Sequence, residues 1–287
     1  MTRRQLAAVF LVNAIGYLCV ATILVDRGYR RQLAARTGVN AYGYRGVARV
    51  GKTSGERRLV VVGGSFAFGS GLQYADTIPA LMSGPLGRQP QPVHVANLSE
   101  PGAGAGTFVR ALNDYAYLLP DVILIVDGYD PPSGLPPGGG RRASAVFRDI
   151  GYLPALPSGL VSPAAVSTDV DPLFDDSRHE DPGGCAGLFA ERCDAMAAAV
   201  EWGLARKTAV VVVTPPAVSR RQAAEQRALL TALAGRFGSD DRLHHVNLQV
   251  PGALEDGLSG ARRITREAAE SCARQLVAEV LTILNGR

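Results

Sequence analysis

Two kinds of apolar run occur along this chain. The first is a single stretch, residues 6–25, with no formal charge inside it and arginines on both sides: Arg3 and Arg4 before it, and Arg27, Arg30 and Arg31 after it beside Asp26. About twenty such residues match the hydrocarbon thickness of a bilayer. No polar face interrupts the run and no small-residue cleavage site precedes Asp26, so it predicts an uncleaved N-terminal signal anchor. The second kind is short and repeated: residues 59–62, 93–97, 122–126, 208–213 and 244–248. Brief, continuously apolar segments of this sort read as strands buried on both faces.

Between the short runs the apolar spacing turns helical. Helices are predicted over residues 73–86, with Pro79 in the first turn after Thr77, and over 107–119, 186–206, 219–237 and 265–284. Strand alternating with helix predicts a parallel sheet. Residues 131–182, opening with Pro-Pro-Ser-Gly-Leu-Pro-Pro-Gly-Gly-Gly, break the rhythm before another strand resumes it, so they form an insertion within one domain. The expected organisation is an anchor at 1–27, a basic connector at 28–57 with a glycine-punctuated turn at 40–46, and a domain at 58–287. The architecture is a three-layer α/β/α sandwich around a parallel sheet of about five strands in flavodoxin-like order.

Charge sharpens this picture. Through Arg36 there are six arginines against Asp26, which is +5 of the chain's +4 and leaves −1 for the remainder. The basic balance therefore belongs to the membrane flank. With only two lysines, Lys52 and Lys207, the globular part has no electrostatic footprint for nucleic acid. Arginines on both flanks leave the positive-inside rule with little to discriminate. Asn13, at mid-span depth, needs a hydrogen-bond partner, and association with another membrane helix is one way to supply it. Cys185 and Cys193 flank a short segment, either as a disulfide in an oxidising compartment or as two buried thiols. Neither they nor His179 have metal-ligand spacing, and no cofactor or metal is expected.

The chemistry centres on the strand at 59–62 and the Gly63-Gly64-Ser65 that follows it. A serine at the carboxyl end of a buried parallel strand lies where open α/β sheets place ligands. Two roles fit it there, nucleophile or helix N-cap. The glycine-rich loop 97–106 allows backbone to approach a ligand closely but lacks the lysine and spacing of a nucleotide site. The insertion leaves the carboxyl end of the third strand, so it should cover the same edge as a lid or docking surface.

Gly63-Gly64-Ser65-Phe66-Ala67-Phe68-Gly69 resembles the first block of the SGNH/GDSL hydrolases, with glycine where an aspartate usually precedes the serine. The turn Asn40-Ala-Tyr-Gly-Tyr-Arg-Gly46, the loop from Asn97 to Gly102 and the strand ending Asp127-Gly-Tyr-Asp130 follow in that family's order. The resemblance implies Ser65 as nucleophile, an oxyanion hole using Gly102, and a late Asp-x-x-His block. Two departures stand out. Asp127-Gly128-Tyr129-Asp130 replaces Gly-x-Asn-Asp, leaving Tyr129 in place of the asparagine donor, and the late block reads Asp256-Gly-Leu-Ser, with no histidine after His245. Of the four histidines, His94, His244 and His245 lie near the starts of their strands, the wrong end for this site, and His179 in the insertion is the nominee for a displaced base.

Losing the base of such a triad removes several orders of magnitude in rate. The expected function is therefore a membrane-anchored, SGNH-like domain that has lost ester hydrolysis. It would serve as a binding or structural subunit on the extracytoplasmic (periplasmic) side, with an integral-membrane protein partner met through the anchor and the 131–182 insertion. The alternative is an active esterase or O-acyl transferase on carbohydrate or lipid esters.

Overall fold

A computed structural model describes residues 2–49, 51–128, 130, 185, 190–217, 219–250, 254–256 and 262–286. A five-stranded parallel sheet forms the centre, from β1 (Arg57–Gly63), β2 (Val93–Asn97), β3 (Val122–Val126), β4 (Ala209–Thr214) and β5 (Leu243–Asn247), in the order β2-β1-β3-β4-β5. That order is flavodoxin-like, with its topological switch between β1 and β3. Helices follow in chain order: α1 (Arg3–Thr37), α2 (Ser65–Phe68), α3 (Ile78–Gly87), α4 (Phe108–Asp114), α5 (Ala190–Ala205), α6 (Arg220–Phe237) and α7 (Arg266–Asn285).

Because side chains alternate along a strand, the apolar runs feed two cores at once. Leu59, Val61, Val122, Leu124, Val126, Val211 and Val213 face α3 and α7. Val60, Val62, Ile123, Ile125, Val210 and Val212 face α4, α5 and α6. Every residue of β3 and β4 is buried, which is why those segments carry no polar alternation. Only β5, at the sheet's open edge, alternates.

Several boundaries differ from the sequence expectation for identifiable reasons. The helix expected over 107–119 stops at Asp114 and continues as a 3₁₀ turn, Ala116–Leu118, whose C-cap Leu119 is left-handed. The connector's arginines do not end the membrane helix; α1 runs through them to Gly38, which takes the left-handed C-cap conformation and donates to the Ala34 carbonyl. A two-stranded antiparallel ribbon, β6 (Leu254–Asp256) with β7 (Arg262–Ile264), was not anticipated from segments this short.

Within α1, Arg3–Tyr29 is long and apolar enough to span a membrane, with none of its apolar window buried against the domain. Asn13 Nδ2 donates to the Val9 carbonyl one turn back at 2.8 Å. The polar group at mid-span is thus served inside its own helix, which removes the main reason to expect a helix partner for it. Cys185 and Cys193 form a disulfide.

Candidate functional site

The register of the sheet builds the site. Gly63 at the end of β1 lies level with Val126 at the end of β3, so Ser65 and the residues just past Val126 meet across the switch point. The chain turns out of β1 through Gly64 into the single turn of α2, and Ser65 is the first residue of that turn rather than its N-cap. Its side chain makes no capping bond. The Ser65 hydroxyl instead donates to Asp130 Oδ1 at 2.6 Å and accepts from the Gly102 N–H at 3.0 Å, while the Ser65 N–H donates to Asp130 Oδ2 at 2.6 Å.

One carboxylate therefore holds both the N–H and the hydroxyl of Ser65. Asp130 is the last residue of the Asp127-Gly-Tyr-Asp130 segment, and Gly64 makes room for it. A Cβ at Gly64 would lie 1.9 Å from Asp130 Oδ2 and 2.6 Å from the Ala103 carbonyl, separations at which something must move. The glycine in place of the family's aspartate and the carboxylate arriving from β3 occupy the same space. Burial pushes the Asp130 carboxyl above the usual aspartate range, against the hydrogen bonds from Ser65 and from the Gly102 and Asp130 N–H groups.

Three residues earlier, Asp127 takes the opposite kind of partner. It is 3 % exposed and accepts from Arg192 Nε at 2.8 Å and from Arg192 Nη2. Arg192 also donates to the Gly128 carbonyl at 2.6 Å and lies 4.0 Å from Glu225, which Arg221 pairs at 2.8 Å. Burial raises the Asp127 carboxyl too, and the Arg192 charge opposes it.

Of the residues nominated from sequence, Ser65 and Gly102 are brought into direct contact. Asp256 lies in β6. Tyr129 and His179 fall outside the described residues. Among the described residues no histidine contacts Ser65. His94 sits level with Arg58, seven residues before Ser65, about 20 Å away along the strand. His245 is on β5, three strands from β1 or about 14 Å across the sheet, where it meets Thr214 at 3.2 Å. His244 reaches Glu279 at 3.5 Å. Among the described residues no cluster of metal-ligating side chains forms. Asp130 is the functional neighbour that sequence reasoning quoted but gave no role. Gly64 beside the serine was the signal, since it leaves a carboxylate-sized space.

No protein-family model and no curated protein matches the chain. Among solved structures it is similar to a psychrotrophic esterase from Pseudoalteromonas sp. inhibited by monoethylphosphonate, at 13% identity over 80% of this chain and 100% of that one, with a TM-score of 0.50. It is also similar to a family two carbohydrate esterase from Clostridium thermocellum in complex with cellohexaose, at 12% identity over 80% of this chain and 65% of that one, TM-score 0.50. A lipolytic protein of the G-D-S-L family from Desulfitobacterium hafniense matches more loosely, at 12% identity over 78% and 99% of the two chains, TM-score 0.44. At these identities the likeness is one of fold.

Proposed function

Starting from the SGNH-hydrolase fold that this chain has, we propose that it is a membrane-anchored member of that group which no longer hydrolyses esters and serves as a binding or structural subunit beside an integral-membrane partner. The observation that carries this reading is the Asp130 carboxylate on Ser65. Serine-dependent ester hydrolysis needs the hydroxyl to be deprotonated by a base and needs free N–H donors where the carbonyl oxygen becomes an oxyanion. Here the Ser65 N–H is bonded to an anion already, and the Gly102 N–H points at the Ser65 oxygen. A negative carboxylate in that position repels the charge the reaction would develop.

The Ser65–Asp130 contact also favours a second reading, in which Asp130 replaces histidine as general base for an esterase or O-acyl transferase. The geometry opposes it. The same carboxylate that accepts the hydroxyl holds the backbone donor through its other oxygen, so no substrate carbonyl reaches that donor while the base is in place. The Pseudoalteromonas esterase is inhibited by a phosphonate and the Clostridium enzyme is a carbohydrate esterase. Neither property carries over to a serine held in this way.

The apolar span of α1 supports the anchor. The Cys185–Cys193 disulfide supports an extracytoplasmic domain, because disulfides persist in oxidising compartments. The test is purification of the full chain in mild detergent from its own membrane, with wild type and Ser65→Ala assayed on a short-chain aryl ester. The expected result is co-purification with a membrane protein and identical background turnover in the two. Turnover abolished by Ser65→Ala in a protein that purifies alone overturns the reading.

A further inference from the structure

The turn at 40–46 has no part in the site chemistry, yet it ties the end of the membrane helix to the edge of the sheet that holds the site. Arg45 is 5 % exposed. Its Nε donates to the carbonyl of Thr37, the last residue of α1, at 2.6 Å, and its Nη1 donates to the carbonyl of Phe68, the last residue of α2. The guanidinium lies 3.6 Å over the Phe68 ring and 5.8 Å from the Tyr74 ring. The backbone of Arg45 exchanges two hydrogen bonds with Asn97 at the carboxyl end of β2, at 2.9 and 3.0 Å, and Asn97 Nδ2 donates to the Ala67 carbonyl at 3.0 Å. Gly38 closes the junction, since a Cβ there would lie 2.2 Å from the Tyr74 ring.

The geometry points to a membrane-facing orientation: the chain presents the Ser65 edge of its sheet to the bilayer, with Arg45 as the clamp that holds it there. This rests on reading α1 as inserted. From Tyr29, the last residue of the apolar span, to Thr37 is eight residues of helix, about 12 Å. Thr37 and Phe68 share one guanidinium, and Ser65 is one helical turn, about 5 Å, before Phe68. The path from the membrane to the Ser65 hydroxyl is thus at most about 25 Å, whereas the opposite edge of the sheet is a further five-residue strand, roughly 17 Å, away.

The chemistry of this edge selects the partner. Residues 97–107 and 70–76 carry Glu100 and Asp76 and no lysine or arginine. An acidic rim is repelled by an anionic lipid surface. The surface fits the extramembrane face of an integral-membrane protein, met within the first 25 Å or so above the bilayer.

The test uses the full chain in nanodiscs, with Cys19→Ala as background and single nitroxide labels at Gly106→Cys on the Ser65 edge, Asp241→Cys on the opposite edge and Leu18→Cys in the span. Oxygen accessibility at Leu18 reports insertion, and accessibility to nickel-chelating headgroups reports which edge faces the membrane. The expected result is an oxygen-exposed Leu18 label and several-fold greater nickel relaxation at Gly106 than at Asp241, equal in neutral and anionic discs. Arg45→Ala, or a six-residue Gly-Ser insertion after Gly38 that leaves the Arg45–Phe68 contact intact, should bring the two edges to parity without moving the Leu18 signal. Parity in the wild type, or asymmetry that survives both variants, overturns the clamp. Asymmetry that appears only in anionic discs makes lipid the partner and overturns the protein surface. A Leu18 label without bilayer oxygen exposure means that the anchor reading itself has failed, and the orientation with it.

Discussion

Asp127 and Asp130 leave the same strand end three residues apart, both are buried, and burial raises the pKa of both. Their partners differ in kind. Asp127 meets a guanidinium that carries a full opposite charge. Asp130 meets a hydroxyl and backbone N–H groups, donors without net charge, of the type that an oxyanion hole offers to a developing charge. One aspartate is a structural ion pair; the other occupies the place of a reaction intermediate. The contrast teaches that a hydrolase site can be closed without losing its serine, by supplying from within the chain the anion that the site was built to hold.

The comparison is broken most forcefully at the ion pair. Asp127→Asn leaves Arg192 buried with Glu225, 4.0 Å away, as its remaining carboxylate, and should destabilise the domain by about 3 kcal/mol in chemical denaturation. A loss below about 1 kcal/mol would mean that Glu225 takes over the pairing. Gly64→Ala comes next, at about 2 kcal/mol, because the new Cβ overlaps both Asp130 and the Ala103 carbonyl. Since part of that overlap is with Asp130, a double-mutant cycle with Asp130→Gly should recover about 1 kcal/mol. Additive effects would show that the two positions are not coupled.

Asp130→Asn should change stability at neutral pH by less than about 1 kcal/mol, because an amide still accepts the Ser65 N–H and offers its own donor to the hydroxyl. Its effect on pH dependence is more informative. Burial raises the folded pKa of Asp130, so its contribution to stability is complete below the ordinary aspartate value of about 4 and is lost as pH rises through the folded value. Unfolding free energies from pH 3 to 7 should fall less steeply for Asp130→Asn than for wild type, and parallel curves would contradict the raised pKa. The smallest expected change is in ester turnover on Ser65→Ala, which should be none.

What was legible in the sequence follows from how each signal arises. The strands β2 and β3 coincide with their apolar runs because burial on both faces leaves no polar residue to blur the ends. Thr265 and Ser219 cap their helices as predicted, each accepting the backbone N–H three residues on. The course of α1 through five arginines was hidden because charge does not stop a helix, and only the left-handed Gly38 does. The filling of the site was hidden for a different reason. That Asp130 turns back onto Ser65 depends on the level of β3 relative to β1, a long-range register that local pattern does not contain. Gly64 was the one local trace of it, since a missing side chain beside a nucleophile raises the question of what fills its space.

The central claim is that Ser65 is held by Asp130 and is not a nucleophile, and covalent labelling reads this directly. Wild type, Ser65→Ala and Asp130→Asn would be incubated with a fluorophosphonate and their intact masses measured. The account predicts no adduct on any of the three. A stoichiometric adduct on wild type that vanishes in Ser65→Ala would contradict it, by showing an activated serine and an oxyanion hole open to a phosphoryl oxygen.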